Sequence, residues 1–370
     1  MNLKKKILCM VGTRPEVIKM APVILALRRT PWAVVRVCAT AQHREMLDEA
    51  LAIFEIVPDM DLDAMRPNQT LPDLTALLLS RIDKVLAVEQ PDTVIAQGDT
   101  TTVLSTALAC FYRHIPFAHV EAGLRTGNLG NPFPEEMNRI VAGRLATLHF
   151  APTTGAQTHL LAEGIAPKSI HVTGNTVIDA LLWTAAQDPQ HGLELPMGKR
   201  LILLTAHRRE NFGNPMREIF RAVRTLTQLH PEVHIIYPVH LNPNVAGLAH
   251  EMLGNDSRVT LCPPLGYRKL VGLLCAVEFV LTDSGGIQEE APALGKPVLV
   301  LRETTERPEA VEAGLAKLVG TDHDAIVKAA TELLTNIDVY KHMAIGVSPY
   351  GDGHAASKIV EIIRASFDVV

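Results

Sequence analysis

Short, uninterrupted apolar runs separated by longer stretches of helical period constrain this chain more than any other feature. Residues 6–11, 34–39, 93–96, 117–120 and 148–151 read as strands in the first half, and 201–205, 234–237, 259–261, 279–282 and 298–301 in the second. Helical spacing fills the gaps at 15–29, 44–54, 71–89, 101–112 and 135–146, then at 215–229, 244–253, 268–275, 287–294 and 324–334. Strands that are apolar at every position must be covered on both faces, which is the situation of a parallel sheet. The fold class expected is α/β, with two Rossmann-like doubly wound domains. A length of 370 residues agrees, being more than one core usually serves. The Pro- and Gly-punctuated run WTAAQDPQHGLELPMGKR reads as a linker, so a cleft is expected between the halves. The boundaries drawn are 1–174 plus 354–370 for the first domain and 175–353 for the second. The last helix, 355–367, is thereby given to the first domain, although its pattern alone allows it to cap either half.

Composition removes several classes of partner. The formal net charge is -5 and the aromatic content 4%, so neither a broad nucleic-acid surface nor a single-strand stacking platform is expected. No apolar run approaches the roughly eighteen residues that a membrane-spanning helix needs. The start, MNLKKKILCMVG, resembles a signal peptide only briefly, because Arg14, Glu16 and Lys19 follow at once. Cys9, Cys38, Cys110, Cys262 and Cys275 contain no CxxC pair, and the first three sit in apolar runs, a pattern that suits a reducing cytoplasm. No HExxH or paired CxxC suggests a metal, and neither GxGxxG after the first strand nor GxxxxGK[ST] is present. No cofactor is expected.

In an open parallel sheet, ligands bind outside the carboxyl ends of the strands, and the polar motifs here follow those ends. After 279–282 comes Asp283-Ser284-Gly285-Gly286 and then a helix, an arrangement that points backbone N–H groups and a helix N-terminus at one spot. Such a spot binds anions, phosphate above all. A plain turn whose glycines only relieve strain fits this run equally well on its own. Glu290 lies about one helical turn past Gly286 and suits sugar hydroxyls.

In the first half, Gly12-Thr13-Arg14-Pro15-Glu16 is a helix start with a capping box, which accounts for Thr13 and Glu16 but not for Arg14. An Arg at the head of a helix opposes the macrodipole unless it faces an anion, and Lys19 adds a second positive charge. Asp99 is either the cap of the next helix or, with Glu121, half of an acid/base pair at neighbouring strand tips. Glu135 and Arg139, four apart, read first as an exposed helix pair. His207-Arg208-Arg209, and the run from Arg302 to Arg307, place positive charge at strand ends of the second half.

Taken in order, GTRPEVIKMAPV, AQHREMLD, GDTTT, HVEAGLRTG, PFPEEMNR, VTGNTVIDAL, LLTAHRREN, YPVHLNP, LTDSGGIQEEAPALGKPVLVLR, TTERPEAVEAG and PYGDG resemble the signature runs of the non-hydrolysing UDP-N-acetylglucosamine 2-epimerases. The resemblance covers nearly the whole chain. It implies a glycosyltransferase-B-like fold, a homodimer, and interconversion of UDP-GlcNAc and UDP-ManNAc without NAD or metal. UDP is eliminated to leave 2-acetamidoglucal and then added back. By the same resemblance, Asp99, Glu121 and Glu135 hold acid/base or sugar-holding roles, with Lys19 and Arg14 at the substrate and His207 serving both turnover and diphosphate. Arg139 falls in the same substrate set. Ser284, Gly285, Gly286 and Arg307 match diphosphate contacts, and Glu290 matches a ribose-binding carboxylate. Leu270 aligns with an aromatic that contacts the base, and Tyr267 is the substitute platform. Gln97 stands where many relatives have His. Gln42 and His43 resemble part of an effector site for a second UDP-GlcNAc. Glu45 and Asn68 replace a Gln and an Arg of some activated relatives, which implies weaker coupling, with Arg44 or Arg66 as compensating charges.

Other readings are a 2-epimerase of a modified UDP-sugar such as a UDP-2,3-diacetamido-uronic acid, a hydrolysing epimerase, a glycosyltransferase and a UDP-sugar-binding module. The three carboxylates of the first half favour chemistry on the sugar over binding alone. The pathway expected is supply of ManNAc-type sugars to surface polysaccharide.

Overall fold

Every strand pair among the described residues is parallel, as continuous apolar strands require. The computed structural model describes residues 4–41, 44–66, 68–346 and 348–368. The chain divides into two units, Met1–Ala180 with Tyr350–Val370, and Leu181–Pro349.

The first unit alternates β1 (Lys5–Val11), α1 (Arg14–Arg28), β2 (Ala33–Ala39), α2 (Arg44–Ile53), β3 (Met60–Asp61), α3 (Leu71–Glu89), β4 (Thr93–Gln97), α4 (Thr101–Tyr112), β5 (Phe117–Val120), α5 (Glu135–Leu145), β6 (Leu148–Ala151), α6 (Thr154–Ala162) and β7 (Ile170–Val172). The next helix, α7 (Thr176–Ala185), runs across the division between Ala180 and Leu181. The second unit continues with β8 (Arg200–Thr205), α8 (Asn214–Leu229), β9 (Val233–Pro238), α9 (Pro243–Leu253), β10 (Val259–Cys262), α10 (Tyr267–Ala276), β11 (Phe279–Thr282), α11 (Gly285–Ala293), β12 (Val298–Val300), α12 (Pro308–Glu312), β13 (Ala316–Leu318), α13 (His323–Thr335) and α14 (Ile337–Met343). The last helix, α15 (Ala355–Ser366), belongs to the first unit.

The seven-stranded sheet has the order β3-β2-β1-β4-β5-β6-β7, and the six-stranded sheet β10-β9-β8-β11-β12-β13. In each, the chain first winds outward on one side of a central strand and then returns to its other side. The turns after β1 and β4, and those after β8 and β11, therefore flank the two switch points, where side chains from distant sequence positions meet. Leu8, Met10, Val94, Val103 and Phe117 fill one core, and Ile202, Leu204, Phe220, Ile235, Tyr237 and Phe279 the other.

Several boundaries differ from expectation. The supposed linker begins inside α7, because Val177, Leu181 and Thr184, at spacings of four and three, are buried on one helical stripe. The unit boundaries fall at 180/181 and 349/350 rather than 174/175 and 353/354. Helix α6 and strand β7 are additions to the expected elements: only Ala156 and Leu160 of α6 are buried, and β7 has three residues. Helix α11 starts at Gly285, so both glycines lie in its first turn instead of a loop before it.

The last helix is tied to the first unit by a buried carboxylate. Asp179 Oδ1 accepts the Ala356 N–H at 2.8 Å and Oδ2 the Ala355 N–H at 3.2 Å, satisfying two donors that the start of α15 leaves without helical partners. Trp32 meets Phe367 edge-on at the other end. Asp179→Ala should lower the stability of this unit by about 1–3 kcal/mol, the cost of stranding buried donors. Urea unfolding followed at the Trp32 contact would measure it, and an unchanged midpoint would show that α15 is held by apolar packing alone.

Candidate active site

The tips of β4 and β5 are adjacent, with Gln97 paired in register to Val120, so Asp99 and Glu121 emerge on the same sheet edge. Glu121 is a non-glycine residue at φ 61°, a left-handed conformation that costs on the order of 1–3 kcal/mol and is held by its surroundings. Both its carboxylate oxygens lie 2.7 Å from Lys19 Nζ. Asn175 Nδ2 donates to Oε1 at 3.0 Å, and Gln97 Nε2 donates to Oε2. The side chains of Lys19 and Glu121 are 19% and 5% exposed. A carboxylate this deep requires such a set of donors.

Asp99 does not cap α4. Thr100 is the cap, its hydroxyl accepting the Val103 N–H, and this leaves the Asp99 carboxylate to Arg139 at 2.7 Å. Arg139 turns to Asp99 and Glu136, so the expected pairing with Glu135 is replaced by one in which the guanidinium is 12% exposed and the Asp99 carboxylate lies 2.7 Å away. Burial raises the Asp99 pKa, Arg139 opposes this, and Glu121 adds to it. The turn itself is pinned by Asn138 Nδ2, which donates to the Asp99 carbonyl at 2.8 Å, and by His119 Nε2, 2.7 Å from the Gly98 carbonyl.

The two glutamates at the head of α5 part ways. Glu136 is fully buried and accepts the N–H groups of Thr126 and Gly127 at 2.9 and 3.0 Å, a structural role. Glu135 instead lines a cavity of about 480 Å³ together with Arg14, Thr13, Thr100 and Asn138. Glu16 lies beneath this cavity. Its Oε2 accepts the N–H groups of Gly12 and Thr13 at 2.6 and 2.9 Å, and its Oε1 the Thr100 hydroxyl, which clips the Arg14 turn to the Asp99 turn. From sequence Glu16 reads only as part of a helix cap and Gln97 only as a replacement of the relatives' His, while Asn138 and Asn175 carry no signal of their own until the partner is known.

In the second unit, the turns after β8 and β11 meet as the switch point dictates. His207 is partly exposed and stacks on His240 with ring centroids 5.4 Å apart. Its pKa is lowered by burial, raised by Asp283, and lowered again by His240 and Arg208. Ser284 is the N-cap of α11, and its own N–H is taken by the Thr282 hydroxyl at 2.9 Å. The N–H groups of the first turn beyond it have no partner within the helix. Neither Gly285 nor Gly286 has a positive φ, and a Cβ on Gly286 would meet nothing within 4 Å. Strain and crowding therefore do not explain the glycines. What their missing side chains provide is close access to backbone N–H donors.

Arg307 is drawn to Glu289, and Arg302 to Glu210 at 2.7 Å. Glu290 is buried on α11, close enough to Tyr267 to raise the phenol's pKa after burial itself. Tyr267 is 7% exposed, so its ring offers no open stacking face within this unit, whereas Leu270 is half-buried. Gln42 and His43 lie outside the described residues. Glu45 is exposed in the first turn of α2, and Arg66 is spent locally on the Asp63 and Met65 carbonyls. Among the described residues, no three His, Cys, Asp or Glu side chains gather as metal ligands would. No described helix is long and apolar enough to cross a membrane.

Two parallel α/β domains, one presenting a cluster of carboxylates and the other backbone N–H groups and basic side chains at their strand ends, form a glycosyltransferase-B-like architecture. The family model described as UDP-N-acetylglucosamine 2-epimerase matches residues 25–364. The UDP-N-acetylglucosamine 2-epimerase of Escherichia coli (strain K12) is 50% identical over 369 residues, covering 97% of this chain and 98% of that protein. That of Bacillus subtilis (strain 168) is 51% identical over 359 residues, covering 97% and 94%. The crystal structure of UDP-GlcNAc 2-epimerase from Neisseria meningitidis bound to UDP-GlcNAc is 46% identical, with a TM-score of 0.87, over 97% of this chain and 100% of that one. The chain belongs to the UDP-N-acetylglucosamine 2-epimerase family, a family of isomerases.

Burial raises the Glu16 pKa to about 7 against three hydrogen bonds that lower it. A carboxyl whose folded pKa exceeds its unfolded value of 4.5 stabilises the fold below pH 4.5, and that contribution is lost as pH rises toward 7. Glu16→Gln keeps the shape and removes the titration. The variant should gain on the wild type between pH 5 and 7.5, by at most about 3 kcal/mol. A difference in unfolding free energy that stays constant with pH would mean that Glu16 is ionised throughout.

Proposed function

We propose that this chain interconverts UDP-N-acetylglucosamine and UDP-N-acetylmannosamine by eliminating UDP and adding it back. The observation that carries the proposal is the first unit's carboxylate cluster: Glu121 clamped by Lys19, Asp99 by Arg139, and Glu135 on the cavity wall. A binding module has no need of three acids gathered on one sheet edge, two of them set against matched cations. The C2 hydrogen of the sugar is not next to a carbonyl, so enolisation is closed to it. Instead, a carboxylate takes the C2 proton, the C–H electrons form the C1–C2 double bond, and the C1–O bond breaks with its electron pair on the β-phosphate. The products are 2-acetamidoglucal and UDP. Reversal with the proton delivered to the other face inverts C2.

Charge develops on the departing diphosphate, and preorganised donors stabilise it most effectively where water is excluded. The N–H groups of Gly285 and Gly286, the Ser284 hydroxyl and His207 are assigned this role, with Arg307 as a further cation, and Arg14 is assigned to the substrate. Glu290 is assigned to the ribose and Leu270 to the base. A second UDP-GlcNAc acts through Gln42 and His43 as an activator of weak coupling, near the low end of about 1–3 kcal/mol. The working form is a homodimer in the cytoplasm, and the product feeds ManNAc-type sugars to surface polysaccharide. The similarity to the epimerases named above supports the substrate.

Incubation with UDP-GlcNAc alone in D₂O, followed by NMR, tests the reading. UDP-ManNAc and recovered UDP-GlcNAc should both carry deuterium at C2. Epimerisation with full retention of hydrogen would point to hydride transfer, and free ManNAc as the main product would mean hydrolysis. Asp99→Asn, Glu121→Gln and Glu135→Gln should each reduce turnover by roughly two orders of magnitude or more. If all three keep near-normal turnover, the carboxylate assignment is wrong.

A further inference from the structure

Asp283 is fully buried, and its two oxygens are treated unequally. Oδ2 accepts the N–H groups of His207 and Arg208, both at 2.8 Å, and the Asn211 side-chain amide at 3.1 Å. Oδ1 has no hydrogen-bond partner, and it lies 3.4 Å from His207 Nδ1, too poorly aligned to count as a bond. A buried carboxylate oxygen without a donor is costly, and its presence calls for an explanation. A small rotation of the imidazole would supply the missing bond. His240 stacks on one face of the ring at an interplanar angle of 12°.

We propose that Asp283 is a positioning residue that holds His207 with its proton on Nδ1 and turns Nε2 away from the carboxylate, toward the departing diphosphate. The inference rests on the epimerase reading for the diphosphate and on this unit alone for the geometry. It gives the carboxylate two tasks. Oδ2 fixes the backbone of the turn after β8, and Oδ1 selects the tautomer of the side chain that the turn carries. Selection of one ring nitrogen by a hydrogen bond to the other is the usual way a histidine is set for its work. With Nδ1–H fixed, Nε2 can accept a proton from solvent. The resulting imidazolium is stabilised from behind by Asp283, and it donates from Nε2 to the phosphate oxygen that keeps the C1–O electron pair. Sequence alone does not single out Asp283, which stands between a strand and a glycine pair that itself reads as the anion site.

The test uses the full chain labelled with ¹⁵N-histidine, with the His207 signals identified from a His207→Gln variant. In the wild type, neutral His207 should carry its proton on Nδ1, and a proton on Nε2 would overturn the proposal. Asp283→Asn should keep the backbone contacts through its remaining oxygen and present an NH₂ to the ring, which reverses the tautomer. An Asp-to-Asn change behind a catalytic histidine acts this way in serine proteases, and a turnover loss of roughly a hundredfold or more is expected. The UDP dissociation constant should change by less than about tenfold, the scale of one neutral hydrogen bond. A folded Asp283→Asn enzyme with wild-type turnover, whatever its tautomer, would overturn the proposal. If that variant does not fold, the wild-type tautomer decides the question. A wild type that fails to act on UDP-GlcNAc would refute the epimerase reading, while the tautomer measurement would still judge the Asp283 contact.

Discussion

The salt bridge between Lys19 and Glu121 is the constraint on which the first unit's chemistry depends. Desolvating a carboxylate is costly, and breaking a buried pair by removing one member costs about 3–5 kcal/mol, because it strands the other charge. Glu121 is met by Lys19 from α1, Gln97 from the end of β4 and Asn175 from the turn before α7. Three separate elements thus converge on one carboxyl group whose backbone is itself held in the left-handed region. The strain and the buried charge would each be unfavourable alone. Together with their donors they hold one acid in one orientation, which is what the proton transfer proposed at C2 would require.

The same device recurs in both units at the level of the backbone. Glu16 takes the consecutive N–H groups of Gly12 and Thr13 after β1, and Asp283 takes those of His207 and Arg208 after β8. In each case a buried carboxylate satisfies amides that leave a central strand at a switch point, where no neighbouring strand can pair with them. Rigid turns follow, and the side chains they present, Arg14 in one unit and His207 in the other, inherit that rigidity.

Much of this is legible in the sequence, and the reason is periodicity. Apolar runs without alternation allow only a covered parallel sheet, and that sheet places whatever follows β4 and β5 side by side. Asp99 and Glu121 can therefore be paired from the order of residues alone. The allocation of cations cannot. Arg139 reads naturally as the partner of Glu135 four residues earlier, yet it bonds Asp99 across 40 residues of sequence, because the turn after β4 hands the cap to Thr100 and frees the aspartate. Gln97 stands out only against the His of relatives, and Asn175 not at all, for a related reason: an amide side chain shows no pattern in sequence, and its importance lies wholly in what it faces. Short elements such as β7, with three residues, fall below any reliable period.

The most direct test of the central claim, that the bond between the sugar and UDP breaks during turnover, is positional isotope exchange. UDP-GlcNAc carrying ¹⁸O in the bridge between C1 and the β-phosphate would be incubated with the enzyme and followed by ³¹P NMR. Elimination releases a diphosphate whose β-oxygens become equivalent by rotation, so the label should move into non-bridging positions at least as fast as UDP-ManNAc forms. Epimerisation that proceeds while the label stays in the bridge would contradict elimination, and with it the roles given to the carboxylate cluster and to the anion donors.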